Sequence, residues 1–299
     1  MSYNVQKIWE KIKKDKIDYR LVDGGNQSNV YLHDKFAFKS GIEKEIQKDM
    51  RIAELANKSE ANIPNIISYI ENENVVVYER IDGTKIRNLS YDEKINTAFE
   101  IGNQLRKFHS INYNSFGEPV FDGSSIYGTY NTKEKFINNF IDVFKNISQN
   151  SNFKDLIEKV CIRLKECNPP PEKSVLCHGD IHISNLIYYD EKVYIIDFGD
   201  TTFGFPGTDV TEAYLNYYET SDYMAHKFLE GYGLKLNQLH NSSIYQGILK
   251  RLYTRMWHEK NNEIPEWWND CENDYYNYRC NKLINIINDE FPVQNITNN

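Results

Sequence analysis

Cysteine is scarce in this chain. Its five cysteines (Cys161, Cys167, Cys177, Cys271 and Cys280) contain no Cys-x-x-Cys pair. An odd count without such pairs argues against a zinc site or a disulfide framework, and fits a reducing cytoplasm. No run of 18 apolar residues occurs, so no segment is expected to span a membrane. Met1 to Lys16 is amphipathic and lysine-rich and lacks the apolar centre of a signal peptide. Positive charge is in deficit: 35 Lys and Arg stand against 43 Asp and Glu, a net charge of −8. That disfavours nucleic acid as a partner and suits a cationic small molecule. Repeats and low-complexity segments are also missing.

Apolar and aromatic residues are plentiful. Hydrophobic content of 40% and aromatic content of 14% describe a globular chain. At 299 residues it can form one large domain or two lobes with ample core.

The most informative stretch is 175–200. Apolar Val175 and Leu176 lead into His178-Gly179-Asp180, and a turn reaches Asn185. Leu186 to Tyr188 reads as a short strand, Asp190-Glu191-Lys192 as a turn, and Val193 to Ile196 as a second strand ending at Asp197-Phe198-Gly199. This loop–hairpin–loop brings Asp180, Asn185 and Asp197 to one open end. Two carboxylates and an amide oxygen suit Mg²⁺ that keeps waters and phosphate oxygens.

His-x-Asp-x-x-x-x-Asn followed by Asp-Phe-Gly resembles the protein-kinase superfamily. Gly179 before the aspartate and His182 two residues after it depart from ordinary protein kinases. They resemble the aminoglycoside phosphotransferase and choline kinase-like small-molecule kinases, with the 2″-type antibiotic phosphotransferases nearest in pattern. The resemblance implies an α+β, two-lobed, protein-kinase-like fold. Residues 1–78 would form a nucleotide-binding lobe with a five-stranded antiparallel sheet and a helix. Residues 79–83 would be the hinge, and 84–299 a mostly helical catalytic and substrate-binding lobe.

The remaining segments agree with that order. Val5, Ile8, Trp9 and Ile12 share a helical face. A strand through Leu21 and Val22, the Gly24-Gly25 turn and Val30 to Leu32 make a hairpin. By resemblance the turn positions the nucleotide, with Ser28 contacting phosphate. Lys35 to Lys39 reads as the third strand, with Phe36 and Phe38 on one face and Lys39 on the other. Lys39 matches the lysine that grips the α- and β-phosphates. A helix over 43–56 has Ile42, Ile46, Met50 and Ala53 on one face. By resemblance it supplies the acidic partner of Lys39; the spacing from Asn62-Ile63-Pro64 suggests Asp49, with Glu45, one turn earlier, as the rival. Glu79 and Ile81 match the hinge positions whose carbonyl and amide bind a purine. Tyr78, just before the hinge, either backs the purine pocket and biases ATP against GTP or points into the core beside Val76.

Ile95, Phe99, Gly102, Leu105 and Phe108 mark a helix ending at His109, itself read as core or cap. Residues 111–131 read as turn-rich, and 133–166 as two helices. In the family pattern His178 and Asp209 support the catalytic loop. Trp257, Glu259, Glu263 and Trp268 lie in a C-terminal region that either lines a polycation pocket or is an ordinary acidic helix face.

The reaction implied is transfer of the γ-phosphoryl group of ATP or GTP, with Mg²⁺, to a substrate hydroxyl. Asp180 would be the catalytic residue, touching the acceptor, with Asn185 and Asp197 as metal ligands. The expected acceptor is an aminoglycoside. The alternative is choline, a sugar or an amino acid alcohol. A cytoplasmic monomer is expected.

Overall fold

The computed structural model describes residues 5–15, 20–25, 28–171, 173–261, 281–285 and 287–288. The N-terminal lobe begins with helix α1 (Val5–Asp15), followed by strands β1 (Arg20–Gly25), β2 (Ser28–His33) and β3 (Phe36–Gly41). Helix α2 (Glu43–Ala56) and strands β4 (Ile66–Ile70) and β5 (Val75–Glu79) complete it. The sheet order is β1-β2-β3-β5-β4, antiparallel at every pairing.

Period-two alternation divides this sheet into two faces. Phe36, Phe38, Val75 and Val77 bury outward under Trp9 and Ile12 of α1. The Trp9 ring stacks on Phe38 at 5.7 Å. Val76 and Tyr78 face the other way and join the main core with Ile46 of α2. The same face carries Lys39. Ile42 does not share the buried face of α2. It is the residue preceding the helix, extended in conformation and 66% exposed, while Ile46, Ile52 and Ala53 are buried.

After β5 come β6 (Thr84–Lys85) and α3 (Tyr91–Phe108). A capping box starts α3: the Ser90 amide donates to Glu93 and the Glu93 amide to Ser90 Oγ. Strands β7 (Asn112–Tyr113), β8 (Phe116–Asp122) and β9 (Ser125–Tyr130) follow, then α4 (Lys133–Ile147) and α5 (Lys154–Glu166). The segment 174–204 holds β10 (Ser174–Cys177), β11 (Leu186–Tyr189), β12 (Lys192–Ile195) and β13 (Thr202–Gly204). Helices α6 (Pro206–Thr220), α7 (Asp222–Tyr232) and α8 (Asn241–Asn261) pack behind it.

Residues 111–131 are not simply turns. They supply three strands of a second sheet, ordered β7-β10-β13-β8-β9. β7 finds its partner some 60 residues later, as Ser174 pairs with Tyr113, while β8 and β9 pair with each other as a hairpin and β8 meets β13 at Gly117 and Phe203. In α3 the Phe99 ring is 46% exposed, and the buried stripe runs through Ala98, Ile101, Leu105 and Phe108 instead. The Phe99 backbone lies against α7, where a Cβ on Gly231 would meet the Phe99 carbonyl at 1.8 Å and one on Gly102 the Phe228 carbonyl at 2.0 Å. Only glycine permits that approach.

Candidate active site

The loop that leaves β10 at Cys177 has the amides of His178, Gly179 and Asp180 held. The Asp209 carboxylate, fully buried at the start of α6, accepts from the His178 amide at 2.5 Å and the Gly179 amide at 3.2 Å. His109 caps the same carboxylate through Nε2 at 3.3 Å. Burial opposes the Asp209 charge, but the bond from His109 and the nearby Lys250 ammonium hold its pKa below the usual range. Gly179 has φ +83, and a Cβ there would stand 2.1 Å from the Asp200 carbonyl. The turn into Asp180 therefore demands glycine. The His178 ring accepts from the Asp180 amide and donates from Nε2 to the Ile196 carbonyl at 3.1 Å. It thus ties the loop to the strand before Asp197, and Phe108 and Phe198 pack against it.

The Asp180 carboxylate is 37% exposed. The Asn185 amide nitrogen donates to it at 2.9 Å and to its own backbone carbonyl at 3.0 Å. The Ser184 amide donates to His182 Nδ1 at 3.1 Å, which puts the ring proton on Nε2, 3.2 Å from the same carboxylate. Burial would raise the Asp180 pKa, and His182 outweighs it, so the group stays well below the usual carboxylate range. In return Asp180 raises the His182 pKa against the effect of burial.

Lys39 Nζ donates to Asp49 at 2.6 Å and to Asp197 at 3.0 Å. Burial disfavours its charge, but the two carboxylates win and its pKa is raised. Asp49 is 2% exposed and is the partner reached by Lys39. Glu45 lies on the neighbouring wall. Asp49 also receives the Phe198 amide at 3.2 Å and the Tyr78 hydroxyl at 2.5 Å. Tyr78 is thus both back wall of the cavity and partner of the acid.

Asn185 and Asp197 offer hard oxygen donors. Because the Asn185 nitrogen is spent on Asp180, its other amide atom is an oxygen free to face a cation. Asp197 is 54% exposed and sits at φ +68, a strained value for an aspartate that turns its carboxylate toward Lys39. A carboxylate and an amide oxygen beside phosphate-sized space fit Mg²⁺.

Two cavities meet here. One, of about 500 Å³, has apolar walls from Val30, Ala37, Ile187 and Ile196, with Glu79 and Ile81 along the hinge edge. The other, of about 600 Å³, contains Asp180, Asp200, Glu212, Lys250 and Trp257. Ser28, Lys39, Asp49 and Asp197 line both; Asp180 lines the second and is bonded there by Asn185, which lines the first. A third cavity, about 950 Å³ between α7 and the start of α8, shares no lining residue with either and lies away from this chemistry.

Sequence reasoning missed Glu212, Lys250 and Arg251. Glu212 falls one helical turn after Asp209, a spacing that puts both on one face of α6. Lys250 and Arg251 carry no local signal. Trp257 reaches the second cavity. Glu263 and Trp268 lie outside the described residues, as does the Glu259 side chain.

A two-lobed kinase fold with a lysine–carboxylate clamp shared by two cavities and a loop aspartate lining the second points to a phosphotransferase. The chain belongs to the phosphotransferase enzyme family APH, whose sequence model matches residues 18–241. No curated protein matches the chain in sequence. Among solved structures it is similar to the streptomycin–ATP–APH(2″)-IIa ternary complex, at 17% identity and TM-score 0.55, covering 95% of this chain and 97% of that one. A choline/ethanolamine kinase family protein from Mesorhizobium loti aligns at 14% identity and TM-score 0.65, covering 97% of each chain. Aminoglycoside phosphotransferase APH(4)-Ia aligns at 15% identity and TM-score 0.62, covering 95% and 97%. These likenesses establish the protein-kinase-like fold.

Proposed function

We propose that this protein transfers the γ-phosphoryl group of ATP or GTP to a hydroxyl of a small cationic acceptor of the aminoglycoside class. The observation that carries the reading is the pair Lys39 and Asp197 shared between the two cavities, with Asp180 in the second cavity bonded to Asn185 of the first. The nucleotide base fits between the apolar walls, against the Glu79 carbonyl and Ile81 amide. Lys39 and Ser28 hold phosphate oxygens. Asn185 and Asp197 would hold Mg²⁺, which supplies charge neutralisation on the phosphates.

Asp180 receives the acceptor hydroxyl. A carboxylate with so low a pKa is a weak base, so it orients the oxygen in line with phosphorus and takes the proton late. His182 and Asn185 keep the carboxylate in one rotamer. Phosphoryl transfer has a loose transition state, so positioning and charge neutralisation carry the rate.

The acceptor wall supports a cationic substrate. Lys250 pairs with Glu212 at 2.9 Å, and Arg251 is held bidentate by Glu219 at 2.8 and 2.9 Å. Glu45 and Asp200 have no ion-pair partner among the described residues and face the same cavity. The test is a coupled nucleotide assay with both nucleotides and a panel of aminoglycosides, choline, sugars and amino alcohols. Highest kcat/KM for an aminoglycoside, with KM rising with salt as screening weakens the attraction, supports the reading. A choline or neutral-sugar optimum moves the protein to another small-metabolite kinase class, as the fold shared with the choline/ethanolamine kinase family protein allows.

A further inference from the structure

Helix α8 reaches the catalytic loop through one side chain. Lys250 Nζ donates to the Gly179 carbonyl at 2.5 Å, with Glu212 at 2.9 Å and Asp209 at 4.0 Å. Its side chain is 19% exposed, so this ammonium is largely withdrawn from water. Such a charge is costly unless carboxylates accompany it. Asp209 and Glu212 do so from one face of α6. Burial lowers the Lys250 pKa and these two acids raise it further, so the group stays charged.

The Gly179 carbonyl belongs to the peptide whose nitrogen is that of Asp180. Gly179 has no side chain to fix its direction, and at φ +83 against the Asp200 carbonyl none is tolerated. The loop is therefore aimed from outside. Asp209 holds the amides of His178 and Gly179, the His178 ring holds the Asp180 amide, and Lys250 holds the carbonyl between them. Asp209 lies on α6 and Lys250 on α8, so the tether joins the two helices behind the loop.

We propose that Lys250 is a positioning residue for the transfer step: by clamping the Gly179–Asp180 peptide it aims the Asp180 carboxylate at the acceptor hydroxyl, and Glu212 steers its ammonium. This rests on the phosphotransfer reading above. Lys250 acts through the loop and is not itself the group that meets the transferred phosphoryl.

The test compares Lys250→Met, Lys250→Arg and wild type as full-length chains. Met keeps the length and removes the charge. Glu212, which burial pushes up to about 7 even beside Lys250, can take up a proton and need not remain a lone buried charge. The Met variant should lose roughly 10²-fold in kcat, the scale of a small misplacement of a reacting group, with the nucleotide KM unchanged. Arg should recover a substantial part of that loss. Hydrogen exchange at the Gly179 and Asp180 amides should quicken in the Met variant and not in the Arg variant. Wild-type kcat in Lys250→Met, or unchanged exchange at those amides, overturns the proposal. So does a parallel loss of kcat, nucleotide affinity and melting temperature, which is the mark of plain structural damage. If wild type phosphorylates no acceptor, the phosphotransfer reading fails, while the exchange comparison still decides whether Lys250 holds the loop.

Discussion

Tyr78→Phe removes one oxygen atom and tests the organisation of the phosphate grip. The Tyr78 hydroxyl donates to Asp49 Oδ2 at 2.5 Å, while Asp49 Oδ1 receives Lys39 and the Phe198 amide. Both Tyr78 and Asp49 are buried, at 8% and 2% exposure, so water cannot readily replace the lost donor. A hydrogen bond to a charged group contributes about 1.5–3 kcal/mol net, and leaving its partner buried and unsatisfied puts the cost toward the upper end. A loss of about 2 kcal/mol should lower the melting temperature by roughly 3 °C in a chain of 299 residues.

The functional effect follows from the same carboxylate. With Oδ2 released, Asp49 can rotate, and Lys39 shifts its weight to Asp197, the residue proposed to hold Mg²⁺. Nucleotide KM should rise while kcat at saturation falls little. Thermal melts with and without nucleotide, and KM for ATP and GTP in both proteins, provide the assay. A variant that melts with wild type and binds both nucleotides equally well would refute the coupling and leave Tyr78 as cavity wall alone.

Asp180→Ala should lower kcat by on the order of 10²–10⁴ with nucleotide affinity nearly unchanged, read in steady-state kinetics and calorimetry. Asp197→Ala should abolish Mg²⁺-dependent nucleotide binding and Asn185→Ala should weaken it, and titration with and without Mg²⁺ separates the two. Asp209 has a folded pKa below its unfolded value, so its contribution to stability is full above about pH 4 and is lost as pH falls through the folded pKa. Asp209→Asn should therefore flatten the acid limb of melting temperature against pH, while weakening the hold on the His178 and Gly179 amides, because one carboxylate oxygen becomes an NH₂ donor.

Much of this protein is written locally. The loop–hairpin–loop over 175–200 is set by turn residues and short apolar runs within a few positions of each other, and it carries Asp180, Asn185 and Asp197 to one end. The α2 helix is legible for the same reason, because one period over 43–56 settles it. The choice of Asp49 over Glu45 was not. It depends on the rotation of α2 against the sheet, which buries Asp49 beneath Tyr78 and turns Glu45 to the acceptor wall. The strand at 112–113 escaped notice because its partners Ser174 and Val175 come much later in the chain, whereas β8 and β9 form a local hairpin that joins the sheet through Gly117 and Phe203. Lys250 lies 71 residues from Gly179, and one lysine on a helix has no pattern of its own. Its ammonium meets the catalytic loop only because α6 and α8 pack together and bring Asp209, Glu212 and the Gly179 carbonyl around it, an encounter that only tertiary packing produces.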